Sequence, residues 1–350
     1  MSHLFFIKKS LFSVFISERR LSQMESQQIV LKVLNDAIQR HASDIYFLPH
    51  RDGYLINFNV DGLDVRYQKL KTTVALECIN YLKFQAHMNI SEHRRPQLGA
   101  WRYSSQRTVV DCRLSSVGDF QGSESLVVRL IYAIAQLTHQ RYFVPDQWQV
   151  IKTACRRRGL VIFSGPTGSG KTTSMYKLAE QFGDQQILSI EDPIEIFYPD
   201  ILQLQVNEKA GMAYQDLIKV ALRHHPNILI IGEIRDQETA KIAIQAALSG
   251  HLVLSTVHAA NCYGVVSRLC NLEISLTDLE QTLQLINYQR LIPTTSRETK
   301  VLFDQLDLRK NDPYEILEQR GMTPEWEQNL KEIYQRQEIT HQDYERYLYG

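Results

Sequence analysis

Apolar residues follow two different rhythms in the first part of the chain. In residues 24–40 they recur at helical spacing, as Ile29, Val30, Val33, Leu34, Ala37 and Ile38. Two strand-like runs at 54–60 and 63–67 flank Asp61-Gly62, a pair typical of a hairpin turn. Further predicted elements are a strand at 45–47, a helix at 73–88, and strands at 108–114 and 125–132 with a loop at 115–124 between them. These elements predict a small α/β domain over residues 24–140.

Short apolar runs and helical stretches alternate in the second part of the chain. Strands are predicted at 160–163, 187–190, Ile228–Ile231 and 251–256, and helices at 173–181, 214–224 and 238–248. This alternation is typical of a parallel sheet with crossover helices. Beyond about residue 275 the apolar spacing is helical, as in Leu276, Leu279, Leu283 and Ile286. We therefore predict a second α/β domain over 141–350 that ends in helices, with the boundary at 136–145, where the patterning lapses.

Residues 1–23 stand apart from this pattern. Their apolar runs, 4–7 and 11–16, are interrupted by Lys8 and Lys9 and are much shorter than the ~20 residues of a membrane span. No small-residue cleavage site follows them. Two interpretations stay open: an extension that is absent from a mature chain beginning at Met24, or a basic amphipathic anchor at a membrane surface.

A glycine-rich stretch lies between the first predicted strand and helix of the second domain. Residues 165–172 read Gly-Pro-Thr-Gly-Ser-Gly-Lys-Thr, the P-loop pattern. Glycines let successive backbone N–H groups curl around phosphates, Lys171 reaches the β- and γ-phosphates, and Thr172 offers a hydroxyl to Mg²⁺. The predicted ligands are therefore a nucleotide and Mg²⁺. The predicted nucleotide-binding residues are Gly165, Pro166, Thr167, Gly168, Ser169, Gly170, Lys171, Thr172 and Thr173.

Three other polar neighbourhoods follow predicted strands, at the sheet edge where open α/β folds bind ligands. Glu233 follows a fully apolar strand and is predicted to help Thr172 hold the metal through water, although a capping or surface acid remains the alternative. Glu191, supported by Asp192 and Glu195, is a candidate base for orienting water, or else part of a solvated turn. His258 either reports the state of the γ-phosphate or is structural.

Charge balance and cysteine content bear on nucleic-acid binding and on the redox state of the thiols. The chain has 39 basic and 39 acidic residues, which argues against a polyanion-binding surface spread over the whole molecule but leaves room for a local basic patch. The five cysteines are odd in number and contain no C-x-x-C pair, a pattern of reduced cytosolic thiols.

In its ordered set of motifs the chain resembles the ATPases of type II secretion and type IV pilus machines. The resemblance covers about 27–293. Besides the P-loop, it rests on Ala42-Ser43-Asp44-Ile45, Ser91-Glu92-His93-Arg94-Arg95-Pro96-Gln97, Ile190-Glu191-Asp192-Pro193-Ile194-Glu195, the stretch from Ile231-Gly232-Glu233 to Thr239-Ala240, and the histidine box from Gly250-His251 to Val257-His258.

This resemblance implies a homo-hexamer of RecA-like P-loop domains, each preceded by a smaller N-terminal α/β domain. It also implies ATP hydrolysis, with Glu191, Glu195, Glu233 and His258 in the site. Arg113 and Arg129 match arginines that reach the nucleotide of a neighbouring subunit in that family, and surface ion pairs are the alternative. The implied partner is a polytopic inner-membrane platform protein, and the implied location is cytoplasmic, peripheral at the inner face of the plasma membrane.

Departures from the family pattern favour one branch. There is no tetracysteine zinc element after the histidine box and no Ala-Ile-Arg-Asn motif of retraction motors, and the stretch Asn287-Tyr288-Gln289-Arg290-Leu291 resembles assembly ATPases of Gram-positive competence pili. Leu98-Gly99-Ala100 replaces the usual Asp-Gly-Arg, which leaves Arg102 as a weak substitute.

The predicted function is therefore to power a DNA-uptake pilus, with no direct binding of nucleic acid. A retraction motor or a type II secretion ATPase is the nearest alternative. A DNA translocase and a nucleotide-binding scaffold without turnover are further ones.

Overall fold

The computed structural model describes residues 24–350 except 61, 106–107, 134–140, 297 and 312. The interpretations of residues 1–23, and residues 136–140 of the predicted boundary, lie outside the described residues. The described chain forms two compact units, which divide between Ile131 and Tyr132. Both units mix helices and strands. Within the described residues, we find no helix with the length and hydropathy needed to cross a bilayer.

The first unit is a six-stranded antiparallel sheet with two helices. Helix α1 covers residues 24–39. The remaining elements are β1 (Asp44–His50), β2 (Gly53–Val60), β3 (Leu63–Leu70), α2 (Thr72–Gln85), β4 (Gln97–Ser104), β5 (Val109–Gly118) and β6 (Glu124–Ile131). The strand order is β3-β2-β1-β6-β5-β4, and every neighbouring pair is antiparallel.

Strand β5 shows how alternation builds this sheet. Val110, Cys112 and Leu114 are buried, and the residues between them point to the other face. The alternation continues to Gly118, so the loop predicted at 115–124 is wrong in its first part. Strand β4 is missed by the sequence because it lies at the sheet edge and buries only one residue, Tyr103, which leaves too weak an apolar pattern.

A buried ion pair organises the motif at residues 91–97. Lys83 Nζ lies 2.6 Å from Glu124 Oε1 and also donates to the carbonyl oxygen of Glu92 at 2.6 Å. The other carboxylate oxygen of Glu124 pairs with His93 Nδ1 at 2.8 Å. Lys83 and Glu124 are 0% and 2% exposed, so each charge depends on the other. The motif is therefore anchored through Glu92 and His93 to the buried charges of Lys83 and Glu124.

The second unit is a seven-stranded sheet packed between helices. Its elements are α3 (Pro145–Ala154), β7 (Gly159–Ser164), α4 (Lys171–Glu180), β8 (Ile187–Glu191), β9 (Leu202–Gln205), a 3₁₀ turn (Glu208–Ala210), α5 (Tyr214–Arg223), β10 (Ile228–Ile231), α6 (Gln237–Leu248), β11 (Leu252–Thr256), α7 (Cys262–Asn271), α8 (Leu276–Thr282), β12 (Leu283–Pro293), β13 (Thr299–Asp307), α9 (Pro313–Glu318), α10 (Pro324–Gln335) and α11 (His341–Tyr347). The strand order is β13-β12-β7-β11-β10-β8-β9, and all neighbours pair in parallel except β12 with β13.

Both faces of this sheet are covered. Helices α5 to α8 pack on one face, and α3 and α4 pack on the other. Strand β7 is consequently buried along its whole length, with Leu160 and Ile162 in one core and Val161 and Phe163 in the other. Double-sided burial is why these strands read as continuous apolar runs in the sequence.

The helical spacing predicted beyond residue 275 is wrong after Thr282. Helix α8 ends there, and the chain continues as β12, which pairs in parallel with β7 and antiparallel with β13. Leu285 faces one core and Ile286 the other. A strand buried on both faces loses its period of two, so its apolar residues imitate helical spacing.

The last helices pack against this added hairpin. Trp326 and Leu330 of α10 and Tyr347 of α11 form a cluster with Ile292 of β12 and Leu302 of β13. The indole Nε1 of Trp326 donates to the carbonyl oxygen of Tyr347 at 3.0 Å, which ties α11 to α10. The end of the chain is thus anchored to the edge of the sheet.

We expect Lys83→Met to destabilise the protein by about 3–5 kcal/mol, because it leaves the Glu124 carboxylate buried without a countercharge. The double variant Lys83→Met/Glu124→Leu should recover most of that loss. Urea unfolding followed by circular dichroism measures both changes. As a control, Lys69→Met removes the exposed pair with Asp52 and should cost less than about 1 kcal/mol. Equal losses for the two lysine variants would contradict this account.

Candidate nucleotide-binding site

The turn between β7 and α4 has the backbone shape of an anion cradle. Gly165, Gly168 and Gly170 have φ angles of 131°, 78° and 81°, which only glycine adopts readily. Gly170 also caps α4, so the free N–H groups of the first helical turn face the loop. The other predicted positions in this stretch, Pro166, Thr167, Ser169 and Thr173, lie in the turn or in the first turn of α4. A helix start of this kind favours negative charge.

Lys171 and Thr172 present their side chains at this turn. Lys171 Nζ donates to the carbonyl oxygens of Gly165 and Pro166, each at 2.8 Å. Burial lowers the pKa of Lys171, while the nearby carboxylates of Glu195 and Glu233 raise it. Thr172 Oγ1 donates to Glu195 Oε2 at 2.7 Å. The predicted lysine, threonine and two of the predicted glutamates therefore lie together.

The polar ends of three neighbouring strands form the rest of the site. Glu191 ends β8, Glu233 follows β10 by two residues, and His258 follows β11 by two residues. These strands are neighbours in the parallel sheet, so their carboxyl ends lie at one edge. The structure thus brings Glu191, Glu233 and His258 to one edge of the sheet, and their roles in a site stay predictions.

Glu233 is held by two basic side chains. Arg235 Nε donates to Glu233 Oε2 at 2.6 Å, and His258 Nε2 lies 3.4 Å from Glu233 Oε1. The Glu233 side chain is 21% exposed, so it stays open to the solvent side of the site. His258 thus lies next to a carboxylate of the predicted site, a position that suits a functional histidine as well as a structural one. Arg235 was not among the predicted site residues.

Glu191 lies in a different environment from the other two glutamates. It is 3% exposed, and its Oε1 accepts hydrogen bonds from Tyr176 Oη and from Ser189 Oγ, the latter at 3.0 Å. Gln203 Nε2 in turn donates to Tyr176 Oη at 2.7 Å. Burial raises the pKa of Glu191 to about 7, although these donors oppose the rise. A carboxyl group with this pKa can both accept and release a proton near neutrality.

The two predicted arginines lie in the first unit. Arg113 of β5 and Arg129 of β6 are directly opposed across the sheet and therefore share a face. Arg129 Nε donates to Asp44 Oδ1 at 2.8 Å. Arg102, the weak substitute, pairs with Asp111 at 2.7 Å and 3.0 Å. Any approach of Arg113 or Arg129 to a nucleotide stays a prediction.

Gln289 is a site residue that the sequence reading missed. It is fully buried in β12, where its Nε2 donates to the carbonyl oxygen of Ser169 at 2.6 Å and its Oε1 accepts from Ser174 Oγ at 2.9 Å. Its own carbonyl oxygen would lie 2.4 Å from any Cβ at Gly165. One signal was present: an amide inside an apolar strand needs partners. The helical spacing predicted for this part of the chain hides that signal.

The fold and the site together define a P-loop nucleotide-binding protein of the RecA-like class. The chain belongs to the family described as type II/IV secretion system protein, which matches residues 21–341. It is 43% identical over 267 residues to the competence protein ComGA of Streptococcus pneumoniae, covering 76% of this chain and 84% of that one. It is 37% identical over 275 residues to ComGA of Bacillus subtilis, covering 77% of each. The predicted family resemblance is confirmed.

A solved structure supports the fold independently. The ATPase DotB of Legionella pneumophila superposes with a TM-score of 0.72 at 21% identity, covering 89% of this chain and 93% of that one. Because the identity is low, this likeness concerns the fold alone. The predicted class, a RecA-like P-loop domain with a smaller N-terminal α/β domain, is confirmed.

We expect Gln289→Ala to weaken nucleotide binding about tenfold, equivalent to about 1.4 kcal/mol, because the P-loop loses the hydrogen bond between the Ser169 carbonyl oxygen and Gln289 of β12. Losing the two buried hydrogen bonds that Gln289 makes to the Ser169 carbonyl oxygen and the Ser174 hydroxyl should also cost about 1–3 kcal/mol of stability. Fluorescent-nucleotide titration and urea unfolding measure the two effects. Gln328→Ala, which removes an exposed amide that contacts Glu332, is the matched control and should change neither. Unaltered affinity in Gln289→Ala would show that the P-loop does not depend on this amide.

Proposed function

We propose that this chain is an ATP-hydrolysing motor that powers assembly of a competence pilus for DNA uptake. The proposal rests on one observation: Lys171 of the P-loop lies close to Glu195 and Glu233, at the carboxyl edge of the parallel sheet. The competence proteins of two Gram-positive bacteria, 43% and 37% identical to this chain, support the biological setting.

The residues present fit ATP with Mg²⁺. Lys171 is a buried ammonium group whose hydrogen-bond acceptors are neutral carbonyls, so a phosphate would supply the countercharge that burial makes favourable. Thr172, Glu195 and Glu233 are oxygen donors, the class of ligand that Mg²⁺ takes. Thr172, and Glu233 through water, would hold the metal, which neutralises charge on the phosphates when bound.

Glu191 is the residue that we assign to activate water. Its carboxyl group is held by Tyr176 and Ser189, and its pKa of about 7 suits proton transfer near neutrality. Glu233 already pairs with Arg235 and His258, which makes it less available as a base. Glu195, bonded to Thr172, would keep that hydroxyl oriented.

His258 and the arginines would couple the reaction to movement. His258 Nε2 lies 3.4 Å from Glu233 Oε1, and a γ-phosphate bound near Glu233 would change the charge around this pair, so we propose that His258 reports the nucleotide state. Arg113 and Arg129 would act on the nucleotide of a neighbouring subunit, which requires a homo-hexamer or a similar ring. Loss of the γ-phosphate would then alter an interface between subunits as well as a site within one.

The setting follows from the same reasoning. A motor that moves pilin subunits needs a membrane partner, so we propose binding to a polytopic platform protein and a cytoplasmic location at the inner face of the plasma membrane. The 39 basic and 39 acidic residues give no general affinity for nucleic acid, and we propose no direct contact with DNA. The named relatives are competence proteins, which supports a role in DNA uptake, and we propose assembly rather than retraction or secretion.

Lys171→Ala tests the proposal. It should lower the kcat for ATP hydrolysis by roughly 10²–10³-fold, since a charge that stabilises the transition state is lost, and it should abolish surface pili and DNA uptake. Lys219→Ala, an exposed lysine of α5, is the control and should behave as wild type. A Lys171→Ala strain with normal pili and transformation would contradict the motor function. An excess of pili would instead indicate retraction.

The pH dependence of hydrolysis tests the role of Glu191. Because its pKa is raised to about 7, the carboxyl group is protonated at lower pH and accepts no proton there, so kcat should increase as the pH rises through about 7. Glu191→Gln should remove this limb of the profile and lower kcat by roughly 10²–10⁴-fold. Glu180→Gln, which changes a carboxylate at the end of α4, should keep the limb. A profile whose rising limb survives in Glu191→Gln would assign the base to another group.

A further inference from the structure

A cavity of about 420 Å³ opens at the edge of the second unit's sheet opposite the P-loop. It is lined by residues that precede four parallel strands: the turn before β7, residue 185 before β8, residues 225–227 before β10 and residues 249–251 before β11. Strand β7 has six residues, so this edge lies about 20 Å from the P-loop. The cavity is therefore separate from the nucleotide site.

The charge of this cavity is wholly positive. Arg156, Arg157 and Arg158 lie in its wall with His225 and His251, and no acidic side chain is among its lining residues. Three consecutive cations in a concave site stand out in a chain whose total charge is zero. Concave walls of one sign concentrate the electrostatic potential and attract counter-ions.

The three arginines are not neutralised by the protein. In the described part of the chain, none of their guanidinium groups makes a hydrogen bond or an ion pair, whereas Arg102, Arg129, Arg235 and Arg309 all pair with carboxylates. Arg157 interacts electrostatically with Asp307 over a longer distance, but Arg309 holds that carboxylate at 2.6 Å. The positive charge of the cavity is thus available to a ligand.

The cavity wall has a defined shape around these charges. The Arg158 side chain lies over Gly250, where an added Cβ would be 2.9 Å from Arg158 Nη1. The ring of His251 is oriented by a 3.0 Å contact between its Nδ1 and the carbonyl oxygen of Ala246. Phe182 adds an apolar surface to the wall. The absence of a side chain at Gly250 therefore leaves the space that Arg158 occupies in the cavity wall.

We propose that this cavity binds a phosphoryl group carried on a larger organic molecule. Guanidinium groups match phosphate oxygens with paired N–H donors, and they remain charged at any physiological pH. A volume of about 420 Å³ falls within the roughly 300–1,000 Å³ typical of small-molecule sites, so a bare phosphate would leave most of it unfilled. A volume of this size and three adjacent guanidinium groups favour one small anion over an extended acidic peptide. The phosphoryl group belongs to a lipid headgroup or to a soluble phosphate ester.

Binding by the full-length protein tests this site while ADP and Mg²⁺ saturate the P-loop. Calorimetry with glycerol 3-phosphate at physiological salt probes a soluble ester, and co-sedimentation with phosphatidylglycerol/phosphatidylcholine vesicles, against phosphatidylcholine alone, probes a headgroup. The triple variant Arg156→Gln/Arg157→Gln/Arg158→Gln should lose about tenfold or more in affinity for whichever probe binds. The control Arg51→Gln/Arg66→Gln/Arg336→Gln removes the same charge from exposed positions and should bind as wild type.

Two further measurements separate recognition from general charge and from folding. Basal ATP hydrolysis and thermal unfolding of both triple variants should match wild type, because the cavity lies away from the P-loop. Arg158→Lys keeps the charge but loses the paired donors, and it should bind several-fold more weakly than wild type.

Glycerol 3-phosphate binding alone assigns a soluble ester, and vesicle binding alone assigns a lipid. Absence of binding to both probes, equal loss in the two triple variants, or equally tight binding of glutarate would overturn the proposal.

Discussion

The in-register parallel pairing of four buried strands is the constraint on which the site depends. Ile162, Ser255, Ile231 and Ile190 form one row across β7, β11, β10 and β8. Because the four strands pair in register, the segments that follow them all begin at the same edge of the sheet. The P-loop, Glu191, Glu233 and His258 meet for this reason, although 93 residues separate the first glycine of the loop from the histidine. Burial on both faces prevents the strands from sliding, since a shift would move apolar residues out of the core.

Strand β12 extends this sheet and supports the P-loop from the side. A buried amide is costly unless both its donor and its acceptor are used, and Gln289 uses both on the loop and on α4. The loop is therefore shaped by its own glycines and also by a residue more than a hundred positions away. Since β13 pairs with β12 and the last helices pack on that hairpin, the end of the chain is mechanically connected to the phosphate cradle.

The two edges of the second sheet carry opposite electrostatic character. At the carboxyl edge, Glu195 and Glu233 lie near the buried Lys171, and Glu191 ends the neighbouring strand β8. At the amino edge, three arginines line a cavity without any acid among its lining residues. Equal totals of basic and acidic residues conceal this division, because net charge reports a sum and not an arrangement. The three arginines at 156–158 are consecutive in the sequence, but only the fold shows that they line a cavity together with residues from other segments.

Local sequence patterns are sufficient to predict the parts of this protein that are contiguous in the chain. The P-loop, the apolar strands such as Ile228–Ile231 and the acidic residues that follow them are contiguous patterns, and their meeting follows from the general rule for parallel sheets. Features that arise from contacts between residues far apart in the sequence are visible only in the folded structure. The apolar pattern of β12 predicts a helix because burial on both faces removes the alternation of a strand. The strands β4 and β13 lie at the outer sides of their sheets and form by pairing with one neighbouring strand. The partners of Gln289, the burial that raises the pKa of Glu191 and the cavity at Arg156 to Arg158 each join segments that no sequence window contains.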